Sequence, residues 1–186
     1  MLKKVGVTIT SIQYSVSDEI YNAFCEEDNG ENIAEHEEAL EAALANVTEG
    51  QPNTSLPLLP PEEESDTLEI FTEGRLLVQD GAVSLIYTET EMSESQETKT
   101  TILFLEKEPK NVSMLRLGEV NTAFLFEEGV RTKCVYNMTY GSLELTIRTV
   151  RVDNRLMTDG CLTLEYFIEL RGASAEHKCV TIKIRQ

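Results

Sequence analysis

From Thr67 onward, apolar residues recur at every second position, and turn sequences interrupt this alternation about every ten residues. Successive residues of a strand point to opposite faces, so each such segment can bury one face and expose the other. The pattern predicts nine strands in this region. Val5, Val7 and Ile9 share a phase near the N-terminus and predict one more. We therefore expect an all-β, closed antiparallel up-and-down barrel of about 8–10 strands.

The connections between these strands carry recognisable turn chemistry. The sequence Gln-Asp-Gly-Ala at positions 79–82 contains the Asp-Gly pair of a tight hairpin. Glycine or proline also marks most of the later connections, such as Glu-Glu-Gly-Val and Thr-Asp-Gly. Short connections of this kind favour antiparallel pairing between strands that follow one another in the chain.

The phase of the alternation assigns side chains to the barrel interior. One buried face per strand is what a sheet closed on itself requires. The residues assigned to the interior are Val5, Val7, Ile9, Val83, Leu85, Tyr87, Phe124, Phe126, Cys134, Tyr136, Leu143, Leu145, Ile147, Leu162, Leu164, Tyr166, Ile168, Leu170, Val180, Ile182 and Ile184.

Residues 16–66 differ from the rest of the chain. They hold 15 of the 33 acidic residues and none of the 16 basic ones, so the remainder is nearly neutral. Within them, Asn32–Val47 places apolar residues at helical spacing and predicts one amphipathic helix. A Pro-rich acidic connector follows. We interpret residues 1–186 as a single β-barrel domain interrupted by this acidic insertion.

Three interpretations of the helix remain open. Its apolar stripe can pack against the barrel, it can dock into a groove of a protein partner, or it can be loosely ordered. Isolated helices shorter than about 12–15 residues are marginally stable, so an ordered helix of this length needs a packing surface. We favour packing against the barrel, with a protein partner contacted through the insertion as the second interpretation.

Charge and composition exclude several classes of function. The sequence shows no stripe of Lys and Arg, so no nucleic-acid partner is expected. No segment approaches the about 20 apolar residues of a membrane span, so neither a membrane partner nor a signal peptide is expected, and the predicted location is the cytoplasm. The four cysteines lack CxxC spacing, which indicates reduced thiols. We expect no cofactor and no metal.

Several strands together resemble a known family. The segments are YTETEM, SMLRLGEVNTAFLFEEGVRTKCVY, YGSLELTIRT and GCLTLEYFIEL. They resemble the YwiB-like family of calycin-like β-barrel proteins from Gram-positive bacteria, over roughly residues 2–15 and 67–184. The ordered matches are Arg116 with Gly118, Phe126 with Gly129, Tyr136 with Tyr140 and Gly141, and Leu164 with Tyr166. The resemblance implies a lipocalin-like barrel, whose interior can hold a ligand, and supplies no activity.

The candidate binding residues are polar side chains that share the interior phase. They are Tyr87, Arg116, Tyr136 and Tyr166, with Glu89 as a further member. An inward arginine beside tyrosine hydroxyls can bind a carboxylate or a phosphate. Two alternatives compete with this interpretation. Arg116 can pair structurally with Glu89 or another strand carboxylate, or it can lie on the outer face, because Leu115 and Leu117 occupy the opposite phase.

No motif points to catalysis. His36 and His177 lie in polar, exposed-looking sequence, and His177 with Cys179 supplies at most two ligands of a metal site. Glu89 and Glu91 share a face, but an alternating Thr/Glu strand is more simply solvated. We therefore predict a non-enzymatic barrel that binds a small anionic or amphipathic ligand, with an interior cavity of a few hundred Å³. The alternative is a structural or protein-interaction barrel with a filled core.

Overall fold

The computed structural model describes residues 1–15, 65–90, 97–170 and 176–185, and these form an all-β fold. The described residues contain ten strands and no helix. The strands are β1 (Leu2–Ser15), β2 (Ser65–Gln79), β3 (Ala82–Thr90), β4 (Glu97–Leu105), β5 (Glu108–Leu117), β6 (Thr122–Phe126), β7 (Arg131–Met138), β8 (Gly141–Arg155), β9 (Cys161–Leu170) and β10 (Glu176–Arg185).

One antiparallel sheet contains all ten strands, and it is nearly closed into a barrel. The order is β6-β5-β4-β3-β2-β1-β10-β9-β8-β7, so neighbours in the sheet are neighbours in the chain, apart from β1 beside β10. The two end strands meet beside Asn121 and Asn137, whose backbone groups exchange two hydrogen bonds of 2.9 Å. The prediction of an antiparallel all-β barrel with nine strands after the insertion is confirmed.

The hairpin between β2 and β3 has the predicted tight turn. Asp80 and Gly81 are its two turn residues, with φ of 51° and 79°. Two consecutive positive φ values characterise the type I′ turn, whose twist matches that of antiparallel strands. Gln79 pairs with Ala82 directly across the turn and fixes the register of the two strands.

The alternation places the core largely as predicted. Val83 and Leu85 of β3 are fully buried, as are Leu162 and Leu164 of β9. Burial of one such aliphatic side chain contributes about 1.5–3 kcal/mol. Leu143 is the exception, because it lies near the start of β8 with its side chain 39% exposed.

A β-bulge in β8 changes which side chains face inward. The register between β8 and β9 shifts between Thr149 and Arg151. Thr149 and Val152 are therefore both buried, whereas the Arg151 side chain is exposed and contacts Glu165 at 3.3 Å. Without the bulge, strict alternation would direct Arg151 into the core.

The predicted insertion lies almost entirely outside the described residues. β2 begins at Ser65, so the last two residues assigned to the insertion belong to this strand. The Asn32–Val47 helix and His36 lie outside the described ranges. The barrel strands belong to one compact unit, which comprises residues 1–15 and 64–186. Within the described parts, no helix is long and apolar enough to cross a membrane.

Candidate functional site

A row of paired residues crosses five neighbouring strands inside the barrel. Gly74 of β2 pairs with Tyr87 of β3, which pairs with Thr100 of β4. Thr100 pairs in turn with Arg116 of β5, and Arg116 with Thr122 of β6. Paired residues point to the same face of a sheet, so this row brings polar groups from distant parts of the sequence together.

Glu89 joins the row from the next inward position of β3. Its Oε2 accepts a hydrogen bond from Arg116 Nη2 at 2.7 Å, and its Oε1 accepts one from Thr100 Oγ1 at 2.7 Å. The Arg116 side chain is 33% exposed, and the Glu89 side chain 12%. A short charge-assisted hydrogen bond in so shielded a place is stronger than a surface ion pair.

The other two predicted tyrosines, Tyr136 of β7 and Tyr166 of β9, lie among aromatic rings of the interior. The Tyr136 ring meets Phe124 edge-on at a centroid distance of 5.9 Å. The Tyr166 ring lies 4.9 Å from that of Phe126 and 6.4 Å from that of Phe124. Tilted and edge-to-face pairs at these distances add stability beyond the burial of their area.

The three phenols share one electrostatic environment. Burial raises the pKa of Tyr87, and the charge of Glu89 adds to this effect, whereas Arg116 opposes it. Burial likewise raises the pKa of Tyr166 and Tyr136, and Arg116 lowers both. The phenols therefore remain protonated at neutral pH and act as hydrogen-bond donors or acceptors rather than as bases.

The five predicted site residues thus lie within electrostatic range of one another, and Glu89 and Arg116 are in direct contact. Arg116 follows the inward phase of Val112 and Met114, whereas Leu115 and Leu117 are exposed. Its guanidinium pairs with Glu89, which is the structural partner considered from the sequence. The Glu89 side chain is only 12% exposed, so the interpretation of a solvated face is wrong for Glu89, and Glu91 lies outside the described residues.

Some buried polar atoms near the site have no hydrogen-bond partner among the described residues. Among them are Nε of Arg116 and Oγ1 of Thr149, whose strand neighbour is Tyr166. Buried donors and acceptors are nearly always paired in native proteins. The site therefore retains hydrogen-bonding capacity that a bound polar group or a water molecule can satisfy.

Sequence reasoning missed Thr100 and Gly74. Thr100 is fully buried and bonds Glu89, and its inward phase with Ile102 and Phe104 was the available signal. Gly74 lies where a Cβ atom would come within 2.6 Å of a Val7 methyl carbon and 3.0 Å of the Ile86 carbonyl oxygen. The glycine permits β1, β2 and β3 to pack closely behind the site.

A second polar cluster lies on the outward phase of the sheet, and it corrects the interpretation of His177 as exposed. The His177 ring is stacked between Tyr14 and Phe167, at centroid distances of 5.1 and 4.7 Å. It is only 4% exposed, and its Nε2 lies 3.2 Å from Glu165 Oε1. This hydrogen bond lowers the pKa of Glu165. The histidine occupies a central strand of the sheet, β10, which lies between β1 and β9.

Neither cluster has the composition of a metal centre. Within the described ranges, no three His, Cys, Asp or Glu side chains gather closely enough to hold a metal ion. Cys134, Cys161 and Cys179 are free thiols, and burial raises the pKa of Cys134 and Cys179. A thiol with a raised pKa is a poor nucleophile at neutral pH.

The outer face of β4, β5 and β6 carries a depression of about 360 Å³. The residues that line it include Leu103, Leu115, Leu125 and Lys133. All three leucines are more than 40% exposed. This concavity lies outside the barrel, so it is not the interior cavity expected from the sequence.

Comparison with known proteins places this barrel in a family. The model of the family described as "Domain of unknown function (DUF1934)" matches residues 60–182. The crystal structure of the ywiB protein from Bacillus subtilis is similar, with a TM-score of 0.59 and 17% sequence identity. The similarity covers 100% of this chain and 96% of that one, and shows a shared fold. No curated protein matches. The chain therefore belongs to the DUF1934 family, and its structure is YwiB-like.

Proposed function

We propose that this protein is a calycin-like, lipocalin-like barrel that binds a small anionic or amphipathic ligand and catalyses no reaction. The proposed site consists of Tyr87, Glu89, Arg116, Tyr136 and Tyr166. The observation that carries the proposal is their convergence, from the four strands β3, β5, β7 and β9, within a largely apolar interior.

The exposure of the site side chains supports entry of a ligand from the side of the barrel where Arg116 lies. Tyr87 and Tyr166 are almost fully buried, whereas a third of the Arg116 side chain is exposed. A ligand head group can thus meet the guanidinium while its apolar part faces the aromatic wall of Phe124 and Tyr136. Arginine suits this role because its planar fork of five donors matches a carboxylate or phosphate.

The free thiols among the described residues support a reducing location, and we propose the cytoplasm.

A second candidate is a structural or protein-interaction barrel with a filled core. It is favoured by the Arg116–Glu89 pair, which neutralises the arginine without a ligand, and by the fully buried Phe126, Ile102 and Ile147. The exposed leucines beside the outer depression provide an apolar surface for contact. The acidic segment 16–66 is the other surface proposed for a partner.

Native mass spectrometry distinguishes the two candidates. The purified protein is incubated with a bacterial metabolite extract, and retained small molecules are identified. If the protein binds a ligand, we expect a discrete added mass that Arg116→Gln abolishes. Arg155→Gln is the control and should preserve this mass, because Arg155 pairs with Asp153 and Asp159 on the exposed end of β8. An added mass that survives Arg116→Gln, or no added mass at all, argues for the filled core.

A further inference from the structure

The carboxylate of Glu89 occupies the position that a ligand carboxylate would take against Arg116. Its two oxygens accept from two different donors, Arg116 Nη2 and Thr100 Oγ1, each at 2.7 Å. Both donors come from neighbouring strands and lie in one register row, so they are fixed relative to each other. Arg116 and Thr100 could donate the same two hydrogen bonds to a ligand carboxylate placed where the Glu89 carboxylate lies.

Charge repulsion prevents the Glu89 carboxylate and a ligand carboxylate from binding Arg116 at the same time. Arg116 and Glu89 together carry no net charge, so an anion that approaches the intact pair meets Glu89 as well as Arg116. Like charges in a shielded site repel strongly, because little water screens them. An anion therefore binds well only when Glu89 has left the guanidinium.

The pair is also accessible to exchange. Glu89 lies near the C-terminal end of β3, where it pairs with Thr98 of β4 and the described strand ends at Thr90. A third of the Arg116 side chain is exposed, so solvent reaches the guanidinium while the pair is formed. The nearby Arg116 Nε has no partner among the described residues and provides a further donor to an incoming group.

We infer that Glu89 is a built-in competitor for the anion site at Arg116: a ligand carboxylate binds by displacing the Glu89 carboxylate from Arg116 and Thr100. This inference rests on the proposed function. It makes Glu89 a specificity determinant, since only anions that bind better than the internal carboxylate occupy the site. A neutral ligand gains nothing from the displacement.

Isothermal titration calorimetry with two probes of matched shape tests this inference. Phenylacetate supplies the carboxylate, and phenylacetamide is its neutral counterpart. The full-length protein is compared with Glu89→Gln, which keeps the length of the side chain and one acceptor oxygen but removes its charge. We expect phenylacetate to bind Glu89→Gln about tenfold or more tightly than the original protein, with little gain for phenylacetamide.

A second variant, Glu89→Asp, keeps the charge but withdraws it by one methylene group. We expect a smaller gain for phenylacetate than in Glu89→Gln, and this result supports the inference even if Glu89→Gln folds poorly. Thermal unfolding provides an independent measure, because phenylacetate should raise the Tm of Glu89→Gln more than that of the original protein.

Three results overturn the inference. If the original protein binds phenylacetate through Arg116 and neither variant binds it more tightly, Glu89 is no competitor, although the proposed function stands. If Glu89→Gln binds phenylacetate and phenylacetamide more tightly by the same factor, the substitution has enlarged the site rather than removed a repelling charge. If neither probe binds any of the proteins, the inference fails together with the anionic form of the proposed function.

Discussion

Arg116 on β5 and Glu89 on β3 form a 2.7 Å ion pair across the intervening strand β4, whose Thr100 bonds the same carboxylate. Three strands thus contribute one side chain each to a compact polar unit within an apolar barrel. Removing either charged partner leaves the other shielded from water without its counter-charge, and this is costlier than losing a surface pair.

Replacing Arg116 with Gln should lower the free energy of unfolding by about 1–3 kcal/mol, less than for a fully buried pair because part of the arginine is exposed. Urea denaturation measures the change. The double variant with Glu89→Gln should lose less than the sum of the two single changes. Strict additivity in this cycle would show that the two side chains do not interact in solution.

Gly74→Ala should destabilise the barrel by about 1–3 kcal/mol, because the added methyl group overpacks the contact with Val7 and the Ile86 carbonyl. Gly6→Ala on the adjacent strand is the matched control, since its Cβ would meet only the Arg185 carbonyl oxygen at 3.9 Å. Chemical denaturation of the two variants should differ clearly. Equal stability would place the Gly74 backbone farther from β1 than the structure shows.

The Glu165–His177 hydrogen bond should make stability depend on pH in the acid range. The folded state lowers the pKa of Glu165, so this carboxylate adds stability above its ordinary pKa of about 4.5. That contribution is lost as the pH falls through the lowered pKa. Glu165→Gln should therefore destabilise the protein at neutral pH, with a difference that shrinks on acidification.

Denaturation curves measured between neutral and acid pH check this expectation. Glu144→Gln is the control, since Glu144 pairs with Lys133 where both side chains are largely exposed. Glu144→Gln should change the free energy of unfolding only slightly at every pH. A Glu165→Gln difference that stays constant with pH would contradict the assigned role of His177.

The phenols of Tyr87 and Tyr166 should ionise only above the usual range for tyrosine, because burial raises the pKa of both. In a spectrophotometric titration of the folded protein, Tyr87→Phe should leave the absorbance change near pH 10 unaltered. Loss of amplitude near pH 10 in Tyr87→Phe would show that solvent reaches the site.

Much of the barrel follows from local sequence. The Asp80-Gly81 pair specifies its own hairpin, because both residues tolerate positive φ. Alternation places Tyr87 inward, because Val83 and Leu85 share its phase on β3. It places Tyr166 inward in the same way, because Leu162 and Leu164 share its phase on β9. In both strands the opposite phase is more polar. In these strands a single apolar face determines the direction of every side chain.

Arg116 shows where local sequence stops being sufficient. Both phases of β5 are apolar, with Val112 and Met114 on one and Leu115 and Leu117 on the other. Only pairing with β4 and β6 decides that the first phase faces the core. The partnership with Glu89 likewise depends on register across β4, which no local pattern encodes.

The sequence by itself thus determined the strands, the tight turn and the inward tyrosines, because these depend on neighbouring residues alone. The tertiary structure decided the direction of Arg116, its pairing with Glu89, and the burial of Phe167 and His177 on the outward phase. The bulge that turns Arg151 outward belongs to the same group. Each of these results from contacts between strands far apart in the chain, and their register is set only when the sheet closes.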